Sequence, residues 1–193
     1  MKVGHQRDRG PVPSALLDDR RLDSLMSWGA ELAASGMSPG ESGNLSCRTA
    51  EGFLITRTGV PLATITKEDW VLVTGIEHDA DGPIVSSRGL HEPSRDASVH
   101  AVLYQRRPNA TAVFHLHVGH LDELQDRLEV PATDVYYPAG TLESKQEIER
   151  FLDQHPETRY FVLIDHGIVA WGESVDETAA LVDRHRAALT EGS

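Results

Sequence analysis

The chain has one cysteine, Cys47, so an intramolecular disulfide is excluded and a reducing, cytoplasmic setting is expected. Positive charge is also short. Lys plus Arg number 18 against 30 Asp plus Glu, a formal net charge of −12, which disfavours nucleic acid or an anionic membrane as the main partner. An anionic ligand would therefore have to be captured by local positive groups. No apolar run approaches the ~20 residues of a membrane-spanning helix, and MKVGHQRDRG at the start lacks the apolar core of a secretory leader. Repeats and low-complexity tracts are missing as well. What remains is 193 residues, 39% hydrophobic and 25% charged, enough for one sizeable core and too few for two ordinary domains.

Residues 1–13 are polar, contain Pro11 and Pro13, and read as a flexible lead, with a single domain over 14–193. Leu16, Leu17, Leu22, Leu25, Met26, Ala30, Leu32 and Ala33 recur at helical spacing and predict one amphipathic helix over 14–35. SPGESGNLSCR follows, a turn with free backbone amides that either cradles an anion or simply connects helix to strand. GFLIT at 52–56 reads as a strand, and EDWVLVTG at 68–75 begins a hairpin through Asp81-Gly82, which leaves His78 as a solvated loop residue. Pro93 and Ser94 open a helix that ends before Pro108, with Ser94 as cap and Asp96 in the first turn. Ser144 to Glu147 and Ser174 to Glu177 have capping-box spacing, VYY at 135–137 reads as strand, and YFVLI at 160–164 pairs with GIVAWG. Helices alternating with hairpins give an α/β domain around a mixed, largely antiparallel sheet.

The chemistry concentrates in HEPSRDASVHAVLYQRRPNATAVFHLHVGH, residues 91–120. Strand alternation puts Val113, His115 and His117 on one face and Phe114 and Leu116 on the other. Two imidazoles side by side are a natural pair of metal ligands. His166 stands at the end of the apolar run FVLIDHG, and Asp96 supplies a carboxylate. Three histidines and one carboxylate leave room for a substrate, the pattern of a catalytic ion. His100, one turn after Asp96, is placed either to hydrogen-bond that carboxylate or to sit as a packed, satisfied core histidine. His91 and His120 stand close enough in sequence to support the ligands.

GNLSCR at 43–48, GFLITRTG at 52–59, PSRD at 93–96, HAVLY at 100–104, AVFHLH at 112–117 and DHG at 165–167 together resemble the class II aldolase and adducin head family, in its order and near its spacing. The family includes fuculose-1-phosphate aldolase and ribulose-5-phosphate 4-epimerase. The resemblance implies a three-layer αβα sandwich, assembled as a homotetramer with active sites between subunits. It also implies a divalent metal, zinc first and manganese, cobalt or iron as alternatives, held by His115, His117 and His166, with Asp96 as fourth ligand or catalytic base. Gly43, Asn44, Thr58, Gly59, Ser94 and Arg95 fall where relatives hold a substrate phosphate.

The implied reaction is that of a metal-dependent carbon–carbon lyase acting on a small phosphorylated or carboxylated sugar-like substrate through a metal-stabilised enediolate. Epimerase, decarboxylase and dehydratase chemistries in the family share that logic; outside it stand a metal-dependent oxygenase and a non-catalytic adducin-like scaffold. Departures matter here. Arg57 and Arg95 replace the family's usual small residues in Thr56-Arg57-Thr58-Gly59 and Pro93-Ser94-Arg95-Asp96, and each adds a fork-shaped cation suited to an anion or to a nearby Glu92 or Asp96. Most aldolases of the family carry glutamate where Asp96 stands, and the 4-epimerase carries aspartate. Tyr136 and Tyr137 are the phenols available to donate a proton.

Overall fold

The computed structural model describes residues 4–8, 10–79, 82–119 and 121–190. Its strands are β1 (Gly4–Asp8), β2 (Asn44–Thr49), β3 (Gly52–Thr56), β4 (Trp70–Asp79), β5 (Gly82–Arg88), β6 (Ala112–Leu116), β7 (Tyr160–Leu163) and β8 (Gly167–Gly172). They form one eight-stranded sheet in the order β1-β5-β4-β3-β2-β6-β8-β7. Only the β1–β5 pair is parallel, so the sheet is mixed and largely antiparallel, as the hairpin pattern predicts.

The helices are α1 (Ser14–Leu17), α2 (Arg20–Ala34), α3 (Ala97–Arg106), α4 (Leu121–Leu128), α5 (Leu142–Gln154) and α6 (Val175–Thr190). Strand alternation sorts the buried side chains into two cores. Leu45, Leu54 and Phe114 pack with Leu22, Leu25 and Leu32 of α2 and Ala179 and Val182 of α6. Phe53, Val73 and Val113 pack with Val99, Val102 and Leu103 of α3 and Phe151 and Leu152 of α5. His115 shares a strand face with Val113, which turns it toward α3.

Several expectations need correction. The helix expected over 14–35 is two, because Asp19 is extended (φ −67°, ψ 121°) and caps α2 by accepting from the Arg21 N–H at 2.9 Å. The lead expected at 1–13 supplies the edge strand β1, which pairs with the otherwise open backbone of β5. At α3 the Ser94 hydroxyl accepts from the Asp96 N–H at 3.2 Å, but this closes a turn before the helix, and Asp96 is itself the N-cap residue. Thr141, not Ser144, caps α5, accepting from the Ser144 N–H at 3.0 Å; Glu147 instead takes the Asp134 N–H and an ion pair with Arg150. Ser174 does accept from the Glu177 N–H, while the Glu177 carboxylate reaches back to Glu173 rather than to Ser174. VYY is not a strand: Tyr136 and Tyr137 lie 46% and 36% exposed in a loop. His78 lies inside β4, half-buried, rather than in a solvated loop. Asp81 of the expected hairpin turn is outside the described residues, while Gly82 opens β5. The helix α4 is an addition to the expected elements, with Leu121, Leu124 and Leu128 at helical spacing.

Candidate metal centre

Three elements deliver the site. β6 carries His115 and places His117 one residue beyond its end; the β7–β8 turn carries His166; the start of α3 carries Asp96. The turn can approach β6 because residue 167 is glycine: a Cβ there would lie 2.5 Å from the Leu116 carbonyl oxygen and 3.1 Å from the His115 ring. At the other edge of β6, Gly43 (φ +78°) does the same for β2, since its Cβ would meet the His115 carbonyl at 3.0 Å.

The result is a convergent donor set. The three imidazole rings lie 4.8 Å apart, centroid to centroid, in every pairing, and cross at 68°, 73° and 73°. His115 Nε2 and His117 Nε2 face each other at 3.0 Å. Asp96 places Oδ2 3.8 Å from His115 Nε2 and Oδ1 3.8 Å from His166 Nε2. One donor atom from each of the four residues falls within 4.8 Å of every other. Ligands about 2.0–2.1 Å from a tetrahedral ion stand about 3.3–3.4 Å from one another, so these separations bracket what such an ion requires.

The protonation chemistry agrees with the geometry. His115 Nδ1 lies 2.9 Å from the Ile168 carbonyl, which only accepts, so Nδ1 holds the hydrogen and Nε2 presents a lone pair to the cluster. Burial pushes the His115 imidazolium down to about 4, against the opposing pull of Asp96, and the ring is neutral at physiological pH. Burial also lowers His117, reinforced by His166. For Asp96 burial acts to raise the carboxyl, but the surrounding imidazoles outweigh it and hold the group below its ordinary range.

Next to the cluster opens a cavity of about 320 Å³, lined by Gly43, Asn44, Thr58, Gly59, Ser94 and Arg95 together with Asp96 and His117. All the residues expected to hold an anion thus meet in one place, because the Ser94 N–H donates to the Thr56 carbonyl and the Thr58 N–H to the Glu92 carbonyl, clipping the two loops together. Asn44 is 2% exposed where it lines the cavity, and its amide bridges Asp96 and His100. Arg57 is tied to Asp69 at 2.6 Å and to the Thr58 carbonyl, so its partner is neither Glu92 nor Asp96. Arg95 is exposed, and among the described residues its side chain makes no ion pair or hydrogen bond. His91 is exposed and outside the donor set, and His120 lies outside the described residues. His100 does not touch the Asp96 carboxylate directly, being bonded to Ser46 and Asn44. Tyr136 stands edge-on to His166 at 6.0 Å, while Tyr137 lies beside it in the same loop.

The family model of the Class II Aldolase and Adducin N-terminal domain matches residues 23–189. The chain belongs to that family. An L-fuculose phosphate aldolase of Haemophilus influenzae is 29% identical over 180 residues, covering 84% of this chain and 76% of the relative. A methylthioribulose-1-phosphate dehydratase of Methylococcus capsulatus is 25% identical over 193 residues, covering 86% and 89%. Among solved structures, the L-fuculose-1-phosphate aldolase of Thermus thermophilus superposes with a TM-score of 0.63 at 28% identity over 89% of this chain and 92% of that one. YgbL of Klebsiella pneumoniae superposes with 0.71 at 22% identity over 89% and 87%, a likeness of fold. This aldolase-family fold is thus the frame in which the His and Asp cluster sits, and among the described residues no helix is long and apolar enough to cross a membrane.

Proposed function

We propose that this protein is a divalent-metal-dependent lyase of the aldolase type, acting on a small phosphorylated or carboxylated sugar-like substrate. The observation that carries the reading is the shared cavity: a cation-binding donor set at one end and an unpaired guanidinium among hydroxyls and backbone amides at the other. His115, His117 and His166 would hold the ion, zinc in this reading, with Asp96 as fourth ligand or base. When bound, such an ion supplies Lewis-acid withdrawal of charge from a substrate carbonyl and its neighbouring hydroxyl. Ser94, Thr58 and Arg95 orient the anionic end of the substrate, and Asp96 stands where a proton is to be taken or returned. Arg57 holds the Thr58–Gly59 turn in shape through Asp69.

Three finer features belong to the same reading. Cores on both faces of the sheet support a three-layer αβα sandwich, with 14–193 as one domain whose sheet is extended at its edge by β1. Exposed Val135, Tyr136 and Tyr137 beside His166 support a homotetramer with sites at subunit interfaces, and the lone buried Cys47 fits a cytoplasmic setting. A dehydratase is the second reading, favoured by the near full-length alignment with the Methylococcus capsulatus enzyme.

The test is a panel of ketose phosphates and sugar acid phosphates, scored for release of aldehyde, CO₂ or water with metal-loaded protein. Arg95→Ala is expected to raise KM by about tenfold, the scale of one charge-assisted contact. Arg57→Ala is expected to lower thermal stability more than substrate affinity. Unchanged KM in Arg95→Ala would remove the anion site from the reading.

A further inference from the structure

Behind the metal-facing side of Asp96 runs a buried line of polar groups. Asn44 Nδ2 donates to Asp96 Oδ2 at 2.9 Å, and Asn44 Oδ1 lies 2.6 Å from His100 Nε2. His100 Nδ1 lies 2.6 Å from Ser46 Oγ, which lies 2.8 Å from the Tyr104 hydroxyl. His100 and Ser46 are 0% exposed and Tyr104 is 6% exposed.

The direction of every bond follows from the carboxylate. Ionised Asp96 only accepts, so Asn44 must turn its NH₂ group to it and its carbonyl oxygen to His100. That oxygen only accepts, so His100 Nε2 carries the ring hydrogen. Burial pushes the His100 imidazolium down to about 3, so the ring holds one hydrogen and Nδ1 is bare. Ser46 therefore donates to Nδ1, and with its one hydrogen committed it accepts from Tyr104. No member is left unsatisfied, and all are polarised toward Asp96.

Resting on the metal-dependent reading above, we propose that His100 is a positioning residue, which locks the amide of Asn44 in one orientation and so holds the Asp96 carboxylate turned into the His115, His117 and His166 cluster. Oδ2 is thereby held by Asn44 while it stands 3.8 Å from His115 Nε2, and Oδ1 faces His166 Nε2 at 3.8 Å. Packing alone would not require this polarity. A phenylalanine would fill the space of His100 equally well, but Asn44 would then have no donor to its oxygen and would be free to rotate. Partners that orient a metal ligand from behind are worth about 10–100-fold in metal affinity.

Two measurements on the full chain test the inference. In protein carrying ¹⁵N-histidine, the long-range ¹H–¹⁵N spectrum at neutral pH is expected to show His100 as the Nε2–H tautomer; an Nδ1–H tautomer overturns the chain of donors. Co²⁺ titration, read by visible absorption, is expected to show His100→Phe binding at least about tenfold more weakly than wild type with a shifted spectrum. His100→Gln, whose amide can donate to Asn44, is expected to stay within about threefold. Equal loss in both variants, or loss in neither, overturns the proposal. If His100→Phe does not fold, the wild-type tautomer decides: Nε2–H supports the proposal and Nδ1–H overturns it. Wild-type protein that takes up no Co²⁺ removes the metal reading itself, and this inference with it. Uptake by wild type with indifferent variants removes this inference alone.

Discussion

Replacing His166 with alanine is expected to lower Co²⁺ or Zn²⁺ affinity by at least about 100-fold, since a direct ligand is worth no less than the outer partners that orient ligands. Among the three imidazoles it is the cleanest to remove. His115 is fully buried and bonded to the Ile168 carbonyl, so its loss would leave both a cavity and an unsatisfied acceptor. His166 sits at a hairpin turn with its side chain 16% exposed, and its ring contacts are chiefly the other two histidines and Tyr136. The melting temperature of the metal-free variant is therefore expected to stay within about 2–4 °C of wild type, the equivalent of ~1 kcal/mol at this size. Calorimetric or optical metal titration beside a thermal melt checks both halves. Affinity within threefold of wild type would show that the turn does not contribute a ligand.

Gly167→Ala is the second substitution with a large expected effect, and it acts through the backbone. The added Cβ would lie 2.5 Å from the Leu116 carbonyl oxygen, and neither atom belongs to a flexible side-chain end that could swing away. β8 must then move from β6, which breaks the register between Leu116 and Ile168 and lifts His166 from His115. Overpacking of this kind costs about 1–3 kcal/mol, which at about 2–4 °C per kcal/mol corresponds to a fall in melting temperature of roughly 2–12 °C. Metal affinity should fall with it, because the donor set loses its third member without any ligand having been changed. A variant that melts and binds metal like wild type would mean that the hairpin has room the geometry denies it.

The same residue shows what could be read in advance. The i, i+2 spacing of His115 and His117 set both rings on one side of β6, because a strand alternates strictly, and that face is the one α3 covers. His166 was legible as a residue before a turn glycine, though nothing local gave the distance across which it meets His115. The strand pattern of 52–56 and 160–172 was clear because fully buried strands are continuous apolar runs. Errors fell where a short polar side chain decides the outcome. Asp19 interrupts a run of helical periodicity by capping, and Thr141 takes the place that Ser144 also qualified for. Asn44, placed among the anion-holding residues by family resemblance, has its amide bonded to Asp96 and His100, 52 and 56 positions away. Long-range pairings of that sort, including Arg57 with Asp69, leave no periodic trace.

The central claim is that the imidazoles of His115, His117 and His166 share one cation with Asp96 alongside. Crystals grown with Zn²⁺ and measured on both sides of the zinc absorption edge test it directly. The expected result is one anomalous peak about 2.0–2.1 Å from a nitrogen of each ring. Rings turned apart around ordinary solvent, with no anomalous peak between them under saturating zinc, would contradict it.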